Sequence, residues 1–91
     1  MPLHELHPFG DAEIAKLPPQ PGVYVLFQIQ IPIRVGAAGN LRRDLSAAKA
    51  EFPGATHFSV ELLSAENVAQ RAQEVTEELR LVRALGFGSQ R

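Results

Sequence analysis

Cysteine is absent from this sequence. That excludes a disulfide framework, a thiolate nucleophile and a thiolate zinc site, and it fits a reducing compartment. No apolar run approaches the ~20 residues that span a bilayer, so no membrane partner is expected. The opening Met1-Pro2-Leu3-His4-Glu5 has neither the basic nor the apolar region of a secretory signal, which makes a cytoplasmic location the expectation. A basic excess is missing too. Nine Lys and Arg stand against ten Asp and Glu, a formal charge of −1. A dedicated nucleic-acid binder usually carries a clear positive surplus, so global charge argues against that role and leaves local patches open.

What is present suits one small folded unit. The chain has 91 residues, 45% of them hydrophobic, enough for one modest core. Residues 1–10 read as a loose lead-in, and Asp11 reads as the cap of a short helix through residue 17. Pro18, Pro19 and Pro21 then forbid helix and favour extended backbone. From 23 to 31, Val23, Val25, Phe27, Ile29 and Ile31 alternate with Tyr24, Leu26, Gln28 and Gln30, the period-two pattern of a strand. A second strand follows over 32–36, with its turn placed near 28–32 although no Asn-Gly or Gly-Gly signal marks it.

Gly36-Ala37-Ala38-Gly39 reads as a connector, and Asn40 as the cap of a helix over 41–51. Residues 56–63 alternate as a third strand. Ser64 then caps a long helix whose buried face is Ala69, Ala72, Val75, Leu79, Val82 and Leu85, with Gly86 as its stop. The expected fold is α+β, in the order α-β-β-α-β-α: a small three-stranded antiparallel sheet with flanking helices over one face. Tyr24, Gln28, Gln30, Arg34, Ser59 and Glu61 are the candidates for its open face. The expected division is a lead-in with its short helix over 1–17, the main domain over 18–86, and a tail over 87–91.

The Pro-Gly lead-in to Gly22-Val23-Tyr24, the stretch Ile33-Arg34-Val35-Gly36, and Gly39-Asn40-Leu41-Arg42-Arg43-Asp44-Leu45 before a third strand and a Glu-rich helix together resemble the GIY-YIG endonuclease superfamily. The resemblance is to its small single-domain members and to the N-terminal nuclease domain of the bacterial excinuclease. It implies metal-dependent phosphodiester hydrolysis on DNA, with Mg²⁺ or Mn²⁺ held by a helix glutamate, a tyrosine of each motif near the attacking water, and a helix arginine on the phosphate. Carried over residue by residue, Tyr24 matches the first-motif tyrosine, and Arg34 stands where the second-motif tyrosine belongs. The helix arginine falls on Asp44, with Arg43 one residue early, about 100° around the helix. The metal ligand falls on Glu74 by distance from the helix start, or on Glu78 by the apolar pattern that follows.

The resemblance therefore implies the fold with an eroded active site: a catalytically impaired module that binds nucleic acid or a partner. The alternatives are a metal-dependent endonuclease with a rewired site built on Tyr24, Arg43 and Glu74 or Glu78, and a protein-interaction domain that dimerises through the apolar run 23–31. Arg34, Arg42, Arg43 and Lys49 form the candidate patch for a phosphate backbone, or else a solvated face. Glu74, Glu77 and Glu78 read equally as ligands or as the wet side of an amphipathic helix. His4 with His7, and His57 with Ser59 and Glu61, are weighed as metal or acid–base groups against plain polar surface.

Overall fold

The computed structural model describes residues 5–86. Its elements in chain order are β1 (His7–Pro8), α1 (Asp11–Ala15), β2 (Gly22–Gln28), β3 (Ile31–Ala38), α2 (Leu41–Glu51), β4 (His57–Leu62), a 3-10 turn (Ala65–Asn67) and α3 (Val68–Gly86). The sheet has four strands rather than three, in the order β1-β4-β2-β3, every pair antiparallel. The additional strand comes from the segment read as a loose lead-in. His7 lies opposite Phe58 and Pro8 opposite His57, which covers the outer edge of β4. Two residues are too short to give a period-two signal, so only the pairing reveals this strand.

Apolar alternation on β2 serves two cores, not one. Tyr24 and Leu26 point to α1 and α2 and pack with Ile14, Leu17, Leu41, Leu45, Phe58 and Val60. Val23 and Val25 point the other way and pack with Val68 and Val75 of α3, joined by Phe27, Val35, Ala72 and Leu79. Helices thus cover both faces, and the open face expected from the sequence does not exist. Tyr24 and Ser59, assigned to it, are 7% and 0% exposed. Of the run 23–31, read as a dimer surface, residues 23–28 lie in the interior strand β2, and the exposed part is its far end, Gln28 to Ile31, at the turn into β3. Val82 and Leu85 of the predicted helix face, like His4 and the 87–91 tail, lie outside the residues whose side chains are described.

Local chemistry sets the boundaries. The turn joining β2 to β3 is Ile29-Gln30, with Gln28 opposite Ile31 and Ile29 at φ +60°. The β3 strand runs on to Ala38, through residues read as a connector, because Gly22 and Val23 continue to pair with it. Asn40 caps α2 as expected, its side-chain oxygen accepting from the Arg43 amide at 3.0 Å. Gly10, not Asp11, precedes α1, and Ser64 accepts from the Asn67 side chain at 2.8 Å rather than capping a helix directly. No helix among the described residues is long and apolar enough to cross a membrane.

Candidate functional site

Pairing between β2 and β3 places Tyr24 opposite Gly36, with both on the α2 side of the sheet. The phenol lies across the glycine, and a Cβ at position 36 would fall inside the Tyr24 ring. This close approach is the physical reason for glycine at the end of the second motif. On α2, Asp44, Ala47, Ala48 and Glu51 follow the three-and-four spacing that forms one helix stripe. With Ala37 of β3 they wall a shallow cleft of about 420 Å³ that reaches Tyr24. Asp44 therefore faces the first-motif tyrosine, from the position where the resemblance implies an arginine. Its side chain is 29% exposed and accepts a hydrogen bond from Arg43 Nε at 3.0 Å.

The candidate basic residues are absent from the lining of this cleft, and three of the four are engaged within the chain. The Arg34 guanidinium sits 5.3 Å from the centre of the Phe52 ring, a cation–π distance. Arg43 is held by Asp44, and Lys49 Nζ donates to Asp11 Oδ1 at 3.2 Å. Arg42 is exposed on the first turn of α2.

Glu74 and Glu78 lie elsewhere. Their helix, α3, packs on the sheet face opposite Tyr24, and they line a separate surface with Gln70 and Arg71. Arg71 Nε donates to Glu61 of β4 at 2.7 Å and its Nη1 to Glu74 at 3.3 Å, with Glu78 at 3.7 Å. The hydrogen bond to Glu61 foremost raises the Arg71 pKa above its already high ordinary value; burial opposes it, and the Glu61 charge, the hydrogen bond to Glu74 and the Glu78 charge add to it. A resident divalent cation needs carboxylate oxygens free to coordinate it. Here the Arg71 guanidinium already engages Glu61, Glu74 and Glu78, and no group of three His, Asp or Glu arranged to hold a metal exists among the described residues. The residues present do not fit that cation.

The constellation of His57, Ser59 and Glu61 also separates into independent roles. His57 Nδ1 lies 2.8 Å from Thr56 Oγ1, Ser59 is fully buried with its hydroxyl unpartnered, and Glu61 belongs to Arg71. His7 stacks 5.5 Å from Phe58. Sequence reasoning did not single out Glu51 or Thr56. The i, i+7 relation of Asp44 and Glu51 was a readable signal for the first; the second acts through β4-to-hairpin bonds that no local pattern announces.

No family model matches the chain, and no curated protein does. Among solved structures, the chain is similar to the GIY-YIG N-terminal endonuclease domain of UvrC from Thermotoga maritima, a point mutant bound to its catalytic divalent cation. The TM-score is 0.66 at 18% sequence identity, covering 76% of this chain and 87% of that one. At this identity the likeness is one of fold, and the architecture is GIY-YIG-like α+β.

Proposed function

We propose that this chain is a GIY-YIG-fold interaction module that does not cleave phosphodiesters. One observation carries the reading: the cleft reached by Tyr24 is lined by Asp44 and Glu51, so it repels the phosphate that a nuclease site must hold. Losing one well-placed transition-state contact costs about 3–4 kcal/mol, or two to three orders of magnitude in rate. A reversed charge adds repulsion to that loss. Arg34 in place of the second-motif tyrosine removes a hydroxyl as well, and its guanidinium rests on Phe52.

A protein partner is favoured over nucleic acid. The formal charge is −1 with no basic surplus, and carboxylates rather than basic side chains line the cleft. Supercoiled plasmid incubated with the protein and Mg²⁺ or Mn²⁺ is expected to stay uncut, and duplex DNA is expected to show no mobility shift at physiological salt. Cleavage that vanishes in Tyr24→Phe overturns the reading in favour of the endonuclease. A salt-dependent shift that vanishes when Arg42 and Arg43 become Ala turns it toward a nucleic-acid module.

A further inference from the structure

Within the reading of the chain as an interaction module, on which this step rests, we propose that the Tyr24 cleft receives an arginine side chain of a partner protein. The first ground is the phenol. Tyr24 is only 7% exposed, reaches the cleft, and its hydroxyl makes no hydrogen bond among the described residues. Among the described residues the sealed, unpartnered side-chain atoms are His7 Nε2 and Ser59 Oγ, so the Tyr24 oxygen keeps contact with the cleft, where it is free to accept a donor from a ligand.

The second ground is the layout of charge. Asp44 and Glu51 stand seven residues apart, about 10 Å along the helix axis, with Ala47 and Ala48 between them. Carboxylates so spaced do not enclose one small metal ion. They suit a long cation whose apolar stem lies on alanine while its charged head meets a carboxylate. Phosphate and other anions are repelled from the same surface.

The third ground is that Asp44 already takes a guanidinium N–H, from Arg43 at 3.0 Å. That Arg43 side chain is 70% exposed, so the pair is weak, screened and readily exchanged for a better-desolvated guanidinium from outside. A guanidinium sheds water more easily than an ammonium and presents several donors in a fixed plane, enough for Asp44 and the Tyr24 oxygen together. Arginine is therefore the side chain selected, ahead of lysine.

The chain has one tyrosine and no tryptophan, so its tyrosine fluorescence reports on this cleft alone. The probes are N-acetyl-arginine amide, its uncharged citrulline counterpart, N-acetyl-lysine amide and spermidine, followed by fluorescence and by amide NMR shifts over residues 37 and 44–51. Saturable binding of the arginine probe is expected, weaker binding of lysine and spermidine, and none of citrulline. Asp44→Asn and Glu51→Gln should each weaken it roughly threefold, the size of a partly solvated charge pair, while Glu66→Gln leaves it unchanged. Circular dichroism on each variant separates lost binding from lost fold. Citrulline binding as well as arginine, lysine or spermidine binding as tightly, indifference to both acidic substitutions, or no saturable response each overturns the proposal. Plasmid cleavage overturns the module reading whatever arginine does; uncut plasmid with no arginine response removes only this inference.

Discussion

At position 29 a β-branched side chain sits in the left-handed region, where L residues with branched Cβ atoms are strained. The hairpin allows only two residues for its turn, and tight turns of this kind favour glycine where φ is positive. Thr56 holds the strained peptide in place: its hydroxyl accepts from the Ile29 amide at 2.6 Å, and its own amide donates to the Phe27 carbonyl at 2.7 Å. The Ile29 side chain is 69% exposed and contributes little packing. Ile29→Gly should therefore raise stability by about 1 kcal/mol, a rise of roughly 4–8 °C in Tm for a domain of this size. A melt that is unchanged or lower would show that the turn carries no strain. Gly36 behaves in the opposite sense, because space rather than φ dictates it. Gly36→Ala drives a methyl into the Tyr24 ring and should cost about 1–3 kcal/mol. Adding Tyr24→Ala to that variant should cost less than the two single losses summed, since the collision is with that ring. Strict additivity in urea unfolding would place the collision elsewhere.

Between elements, Arg71 is the main polar tie linking α3 to β4. Its side chain is 31% exposed, so solvent screens the pairs with Glu61, Glu74 and Glu78. Arg71→Gln should lower stability by about 1 kcal/mol or less, and by less again in high salt. The sign with pH follows from the raised pKa. A cation whose folded pKa lies above its ordinary value gives its full contribution below that ordinary value, and loses it only as pH rises past the folded one. The difference between wild type and variant should thus be flat across neutral pH, and a loss of the wild-type advantage near neutrality would contradict it. The same substitution frees three carboxylates from their internal cation. Mg²⁺ or Mn²⁺ should leave the wild-type melt unmoved and raise that of Arg71→Gln. Equal behaviour of the two proteins would mean that Arg71 does not stand in for a metal. Elements of this size were readable where periodicity is long: α2 with its Asn40 cap, β2, β4 and α3. The two-residue β1 was not, and neither was the division of β2 between two cores, because a strand buried on both faces reads as one apolar run whatever covers it. For the candidate cleft, motif counting singled out Tyr24 and Asp44, which the structure places along one groove. Their shared cleft with Glu51 was not legible, because the depth of a groove depends on how close α2 sits to β3.

The sheet as a whole has two edges, and both are blunted. On one side β1 is only two residues long. On the other, β3 carries Pro32, which has no N–H to offer, and a register shift between Leu26 and Phe27 that leaves Ile33 without a partner on β2. Arg34 follows directly, a charge on the edge strand. These are the devices by which sheet proteins avoid edge-to-edge pairing. They are needed here because Ile29, Ile31 and Ile33 are 69%, 51% and 39% exposed at this same end. The arrangement predicts a monomer of 9.9 kDa in sedimentation even at high concentration. Pro32→Thr restores a donor and a β-forming residue to the edge, and should introduce concentration-dependent association that Ile31→Lys, added to it, reverses. If the wild type already dimerises, or if Pro32→Thr stays monomeric at every concentration, the proline is not what keeps this edge apart, and the exposed isoleucines need another explanation.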